Sequence, residues 1–269
     1  MTVFSFRIAA VLAAIALLTL VSCSAPSARI GSPEFYWAAA RETYAAGDYL
    51  KTADHLDHLI DGSNDYTARA IPWSLVVTSG VGAGYMELAD YYVAGARANS
   101  SKALVFRRKA AEYRAMASGM MLRFAQNVER MERVPGGTVP LAFGLPRGSA
   151  SPPALLSRVA DGIELAPAKA ELAQSLAIER NVLLAACQAV GAPNDIARTA
   201  QMLGHNTALM ARATFAQGIG NMLEKGSALY TRDKLDDPSK LGVLRQLAAA
   251  ASAGALQPGT AMVVNVQSK

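Results

Sequence analysis

The chain has 269 residues, 52% of them hydrophobic, with 26 Lys and Arg against 21 Asp and Glu, a formal net charge of +5. That balance is too mild to imply a nucleic-acid partner, and two cysteines exclude a disulfide framework. The length supports one large or two modest helical units with a real core.

Residues 1–7 carry one basic side chain, Arg7, and Ile8 to Val21 are almost wholly apolar. The run is too short to span a bilayer as an ordinary helix, which needs about 20 apolar residues; it has the charged-then-apolar plan of a secretory leader. Leu20, Val21, Ser22 and Cys23 resemble the lipobox of bacterial lipoproteins. The resemblance implies cleavage after residue 22, a diacylglyceryl group on Cys23 and acylation of the new amino terminus. Ser24 follows the cysteine, so the implied destination is the outer membrane, facing the periplasm. Residues 23–33, rich in Ser, Pro and Gly, read as a tether; ten flexible residues reach roughly 17 Å.

Residues 34–133 read as helical hairpins, and the fold class expected for the chain is all-α. The first hairpin is joined at Gly47-Asp48-Tyr49 and followed by Ala53, Leu56, Leu59 and Ile60 at helical spacing. Tyr36, Ala40, Tyr44, Tyr49, Thr52 and Leu56 resemble one tetratricopeptide unit, with threonine at a position where alanine is usual. The resemblance implies antiparallel hairpins stacked as a solenoid or bundle. Pro72 is expected to open the next helix, running to Arg97. Asn99-Ser100-Ser101 supplies a turn and cap before a long helix with one apolar seam: Ala103, Phe106, Ala110, Tyr113, Ala117, Met120, Phe124, Val128 and Met131.

Residues 134–153 hold five prolines and four glycines and are expected to lack regular structure, with Leu141, Phe143 and Leu145 docking part of the loop on something apolar. A helical subdomain is expected over 154–254, with helices at 154–163, 167–190, 193–203, 206–230 and a last one ending near Gly254. Residues 255–269 read as an extended tail.

Gly80, Gly82 and Gly84 have neither the dinucleotide-binding spacing nor the lysine and hydroxyl of a P-loop; small residues at a close helix crossing account for them equally well. His55 and His58 share a helix, flanked by Asp54 and Asp57. They offer a metal-dependent or enzymatic alternative, although a metal needs three or four ligands in fixed geometry. No nucleophile elbow, zinc-protease pair or cofactor motif is legible, so no cofactor is expected. Cys187, in an apolar neighbourhood, reads as a buried small hydrophobe. Charge is uneven: residues 34–65 balance to −5 and residues 97–133 to +6. Two readings stand: the hairpins neutralise each other across a packed surface, or Arg107, Arg108, Lys109 and Arg114 form a patch for an anionic head group or partner. Trp73 and Tyr85 join these basic residues as candidate ligand or partner contacts, while the other hairpin aromatics serve the core or a binding face.

Residues 84–117, "GYMELADYYVAGARANSSKALVFRRKAAEYRAMA", resemble the T-component lipoproteins of TRAP transporters, in which a tyrosine-bearing helix also precedes a basic one. The resemblance implies an accessory protein that docks a periplasmic solute-binding protein and helps move an apolar or organic-acid ligand. The expectation is therefore a membrane-anchored periplasmic scaffold that binds a protein partner and a small apolar or anionic ligand. The alternatives are an envelope enzyme or metal binder using His55 and His58, or a purely structural envelope lipoprotein.

Overall fold

The computed structural model describes residues 28–132, 134–203 and 208–219. The leader, Cys23, His205, the helices expected beyond residue 219 and the tail lie outside them. Within the described residues the chain is all-α apart from one small strand pair.

Helix α1 (Pro33–Ala46) is opened by Ser32, whose hydroxyl accepts from the Phe35 N–H at 3.3 Å, with Pro33 at a position where no N–H is needed. Gly47 closes it at φ +83°, a conformation that costs glycine little. Asp48 then caps α2 (Tyr49–Asp61) by accepting from the Lys51 N–H at 3.2 Å. The expected hairpin turn is the observed one; of the six positions Ala40, Tyr44, Tyr49, Thr52 and Leu56 are buried, while Tyr36 is half-buried. Thr52 brings a hydroxyl into that interface and satisfies it on Asp48 O at 2.9 Å and Thr43 Oγ1 at 3.0 Å.

Helix α3 (Thr67–Ala98) begins five residues before Pro72, not at it. The turn ahead of it closes on itself: Asn64 Oδ1 accepts from the Tyr66 N–H at 2.9 Å, and the Asn64 amide and Thr67 hydroxyl both donate to Leu59 O at 2.9 Å. That closed turn, and not a side-chain cap on the helix, sets where α3 starts, and Pro72 within it removes a single intrahelical bond. The helix is about 48 Å long and is buried without interruption from Ala70 to Gly82, the pattern of a helix with neighbours on every side. Helix α4 (Ala103–Glu132) packs along it through the predicted seam, and α5 (Ala154–Ala160) and α6 (Pro167–Ala189) pack on other flanks, with α7 (Ile196–Leu203) beside α6. One core runs through all of them.

The glycines of α3 are where α6 crosses. A Cβ on Gly80 would lie 2.5 Å from Val182 Cα, and one on Gly84 would lie 2.9 Å from Ile178 Cα. Their backbone groups lie inside a continuous helix, so they shape a crossing and not a phosphate loop. Cys187 on α6 is free and fully buried, as expected.

Two expectations are corrected near the end of α4. The proline-rich loop contains a strand, β1 (Thr138–Pro140), paired antiparallel with β2 (Leu209–Ala211), which lies where a helix is expected over 206–230. Val139 faces Met210 in register and both are buried; a pairing 71 residues apart leaves no local signal. Residues 212–219 are helical. The buried Arg212 guanidinium donates to Val134 O at 2.6 Å and to Met131 O, satisfying carbonyls left open where α4 ends. Leu141 and Phe143 dock as expected, Phe143 stacking on Trp73 at 6.4 Å, whereas Leu145 is 39% exposed.

The bundle has two distinct ends. At one, residues 28–32 lead into α1, and the start of α1, the end of α2, the start of α3 and the end of α4 meet. Tyr36 stacks on His58 at 4.2 Å, Trp37 on Tyr66 at 5.2 Å, and Arg130 pairs with Asp61 at 2.7 Å. At the other, the end of α3 and starts of α4 and α6 meet α5, with the Asn99 amide donating to Gly162 O at 3.0 Å and Lys102 paired with Glu164 at 2.6 Å.

Candidate functional site

Helices α4 and α6 both pack on α3, while their own backbones stay apart. At the end remote from residues 28–32 they leave a groove of about 370 Å³, floored by Tyr92 of α3 and walled by Phe106 and Tyr113 of α4 and Gln174 of α6. The aromatic rings form a connected cluster. Tyr92 lies 5.5 Å from Tyr113 and 5.7 Å from Phe106, and Tyr85 stacks behind Tyr113 at 6.1 Å. The Tyr113 hydroxyl donates to Gln174 Oε1 at 3.4 Å, so the groove wall is tied across from α4 to α6. Burial raises the phenols of Tyr85, Tyr92 and Tyr113 above the ordinary tyrosine value. Tyrosine suits such a place because it offers apolar area with a polar tip.

Charge rings the groove. Lys109 pairs with Glu112 at 2.8 Å, Lys102 pairs with Glu164, and Glu171 makes no ion pair among the described residues. Lys109 therefore lines the groove. Arg107 and Arg108 are exposed on the same turn without lining the groove; Val105, 47% exposed, lines it, and Leu104 beside it is 73% exposed. Arg114 is half-buried and engaged. Tyr85 is only 4% exposed and supports Tyr113 from behind; Trp73 is 1% exposed, packed edge-on against Tyr44 and Trp37 in the core. Tyr92, Tyr113, Gln174 and Glu164 come together only because α6 returns alongside α3, and nothing local in the chain announces it.

The two readings of the charge map divide along α4. Its second half meets the acidic face of α2: Arg123 reaches Asp57 at 2.6 Å and Asp54 at 3.1 Å, and Arg130 reaches Asp61. The carboxyl of Asp57 is nonetheless raised above its ordinary value, since burial outweighs the neighbouring guanidinium. In the first half, Arg107 and Arg108 make no such contact with α2 and stay open to solvent. His55 and His58 flank Tyr36, at 6.1 and 4.2 Å between ring centres. Among the described residues no group of three or more His, Cys, Asp or Glu side chains converges as metal ligands would, and no helix there is long and apolar enough to cross a membrane. Comparison of the chain with protein-family models, with curated proteins and with solved structures gives no match.

Proposed function

We propose that the protein is a lipid-anchored helical scaffold of the bacterial envelope, held by Cys23 and presenting the Tyr92–Tyr113 groove to an apolar segment of a partner protein. The observation that carries this reading is the groove itself: an aromatic floor left open between two long helices that share a third. The groove lies away from the tether. From Arg130, at the tether end of α4, to Lys109 is 21 residues, about 32 Å of helix. A partner approaching from the compartment meets it before the membrane. The half-exposed ion pairs at its rim suit orientation and encounter more than affinity. The α1–α2 hairpin fits a tetratricopeptide-like unit in its turn and buried positions, which supports a scaffold; the lipid anchor rests on the residues at 20–23. In this reading Arg107, Arg108 and Lys109 face the partner, and any small ligand shares the aromatic floor.

A photo-crosslinking residue at Gln174, compared with one at the exposed Gln126 on the far side of α4, tests the proposal in intact envelopes. A discrete adduct at Gln174 alone, lost when Ala170→Trp fills the groove, is the expected result. Equal labelling at both positions, or none at Gln174, overturns it.

A further inference from the structure

A second concavity, of about 410 Å³, opens at the tether end. Trp37 and Arg41, one turn apart on α1, share its wall with Arg69 from the first turn of α3, and Pro140, Leu141 and Leu209 complete it. Three features of this cleft are unusual together. Neither Arg41 nor Arg69 makes an ion pair among the described residues, and both are exposed. Among the described residues no carboxylate lines the cleft: Glu34, Glu42 and Asp65 are exposed on adjoining segments but are not part of its wall. Arg69 also stands at the positive end of the α3 dipole, in a first turn without an acidic residue, where a cation is unfavourable until an anion joins it.

We propose that this cleft docks the phosphate head group of an anionic glycerophospholipid in the membrane to which the chain is tethered. Guanidinium groups present paired N–H donors that match phosphate oxygens. The Trp37 indole, half-buried and stacked on Tyr66, is the side chain most at home at the head-group level. Apolar groups flank the cleft on the same end: Leu209 is 67% exposed, and Ile30, in the turn before α1, is 84% exposed. Both the charge and the exposed hydrocarbon thus lie where residues 28–32 lead back towards Cys23. The direction of the membrane rests on the anchoring proposed above, whereas the cleft's preference for an anionic lipid does not. The bundle then has a membrane-facing end that reads lipid and a remote end that meets protein.

The test is a titration of the full-length chain in neutral detergent with short-chain phosphatidylglycerol, short-chain phosphatidylcholine and inorganic phosphate, read by tryptophan fluorescence. Trp37→Phe identifies the reporting ring. Saturable binding of phosphatidylglycerol alone is expected, weakened roughly fivefold by Arg41→Ala and again by Arg69→Ala, and weakened by salt. Equal binding of phosphatidylcholine, equal binding of inorganic phosphate, or unchanged binding in the double variant overturns the assignment. The exposed position of both arginines keeps these variants folded. In vesicles, a chain that floats with the lipid yet shows no preferential quenching of Trp37 by brominated phosphatidylglycerol overturns the docking site and leaves the anchor standing. A chain that fails to float, while the short-chain lipid still binds, overturns the anchor and leaves the site standing.

Discussion

Gly80 of α3 lies so close to Val182 of α6 that a Cβ at the glycine would sit 2.5 Å from the Val182 Cα. The obstacle is backbone, so no side-chain rotation relieves it, and α6 as a whole must move. Gly80→Ala should therefore destabilise the protein by about 2 kcal/mol or more, despite a helix-propensity gain of up to about 1 kcal/mol. Gly119, on the exposed face of α4 with nothing within 4 Å, is the control. Gly119→Ala should stabilise by about 0.5–1 kcal/mol. Urea midpoints of the two variants check the pair; destabilisation by both, or by neither, means that α6 does not cross α3 at this glycine.

Asp57 predicts a pH dependence. Its carboxyl, half-buried on the face of α2 that meets α4, titrates above its ordinary value because of that desolvation, with Arg123 opposing the effect. A folded-state value above the unfolded one means that the native chain holds the proton more firmly. The associated stability is present below the ordinary carboxylate range and is lost as pH rises through the raised value. Asp57→Asn removes this loss while keeping an oxygen to accept from Arg123. The stability of the variant relative to wild type should rise between about pH 3 and about pH 7. Denaturation midpoints at the two pH values measure it, and a difference that stays flat rejects the account.

Thiol counting joins the packing of α6 to the chemistry of the amino terminus. Cys187 is fully buried and Cys23 is the only other cysteine. In purified native protein no thiol should react with a bulky aromatic disulfide. In denaturant, one thiol should react if Cys23 carries lipid, and two if it does not. A rapidly reacting native thiol in protein of verified intact mass would locate an unmodified Cys23.

Much of the architecture was legible because it is local. The Gly47-Asp48-Tyr49 turn and the seam of α4 follow from caps and helical period, which act within a few residues; for Gly80 and Gly84 a close helix crossing was one reading, and the distant α6 decided it. Pro72 misled because a self-closing turn at Asn64–Thr67 started the helix earlier. The β1 strand was missed because its partner is distant in the chain and three residues long.

The candidate sites divide in the same way. The basic run on α4 was visible, but its sequence could not say that Arg123 and Arg130 are spent against α2 while Arg107 and Arg108 stay open.

By itself, the sequence determined an all-helical body, its principal turns and the apolar faces to be buried, since hydrophobic period and capping are written within a few turns of chain. Only the tertiary structure decided that α4 and α6 straddle α3 and are joined across it by Tyr113 and Gln174, that Tyr92 shares their groove, and that Arg41 and Arg69 share a cleft. Each of those sets joins helices far apart in the chain, and their proximity follows from how the whole core packs.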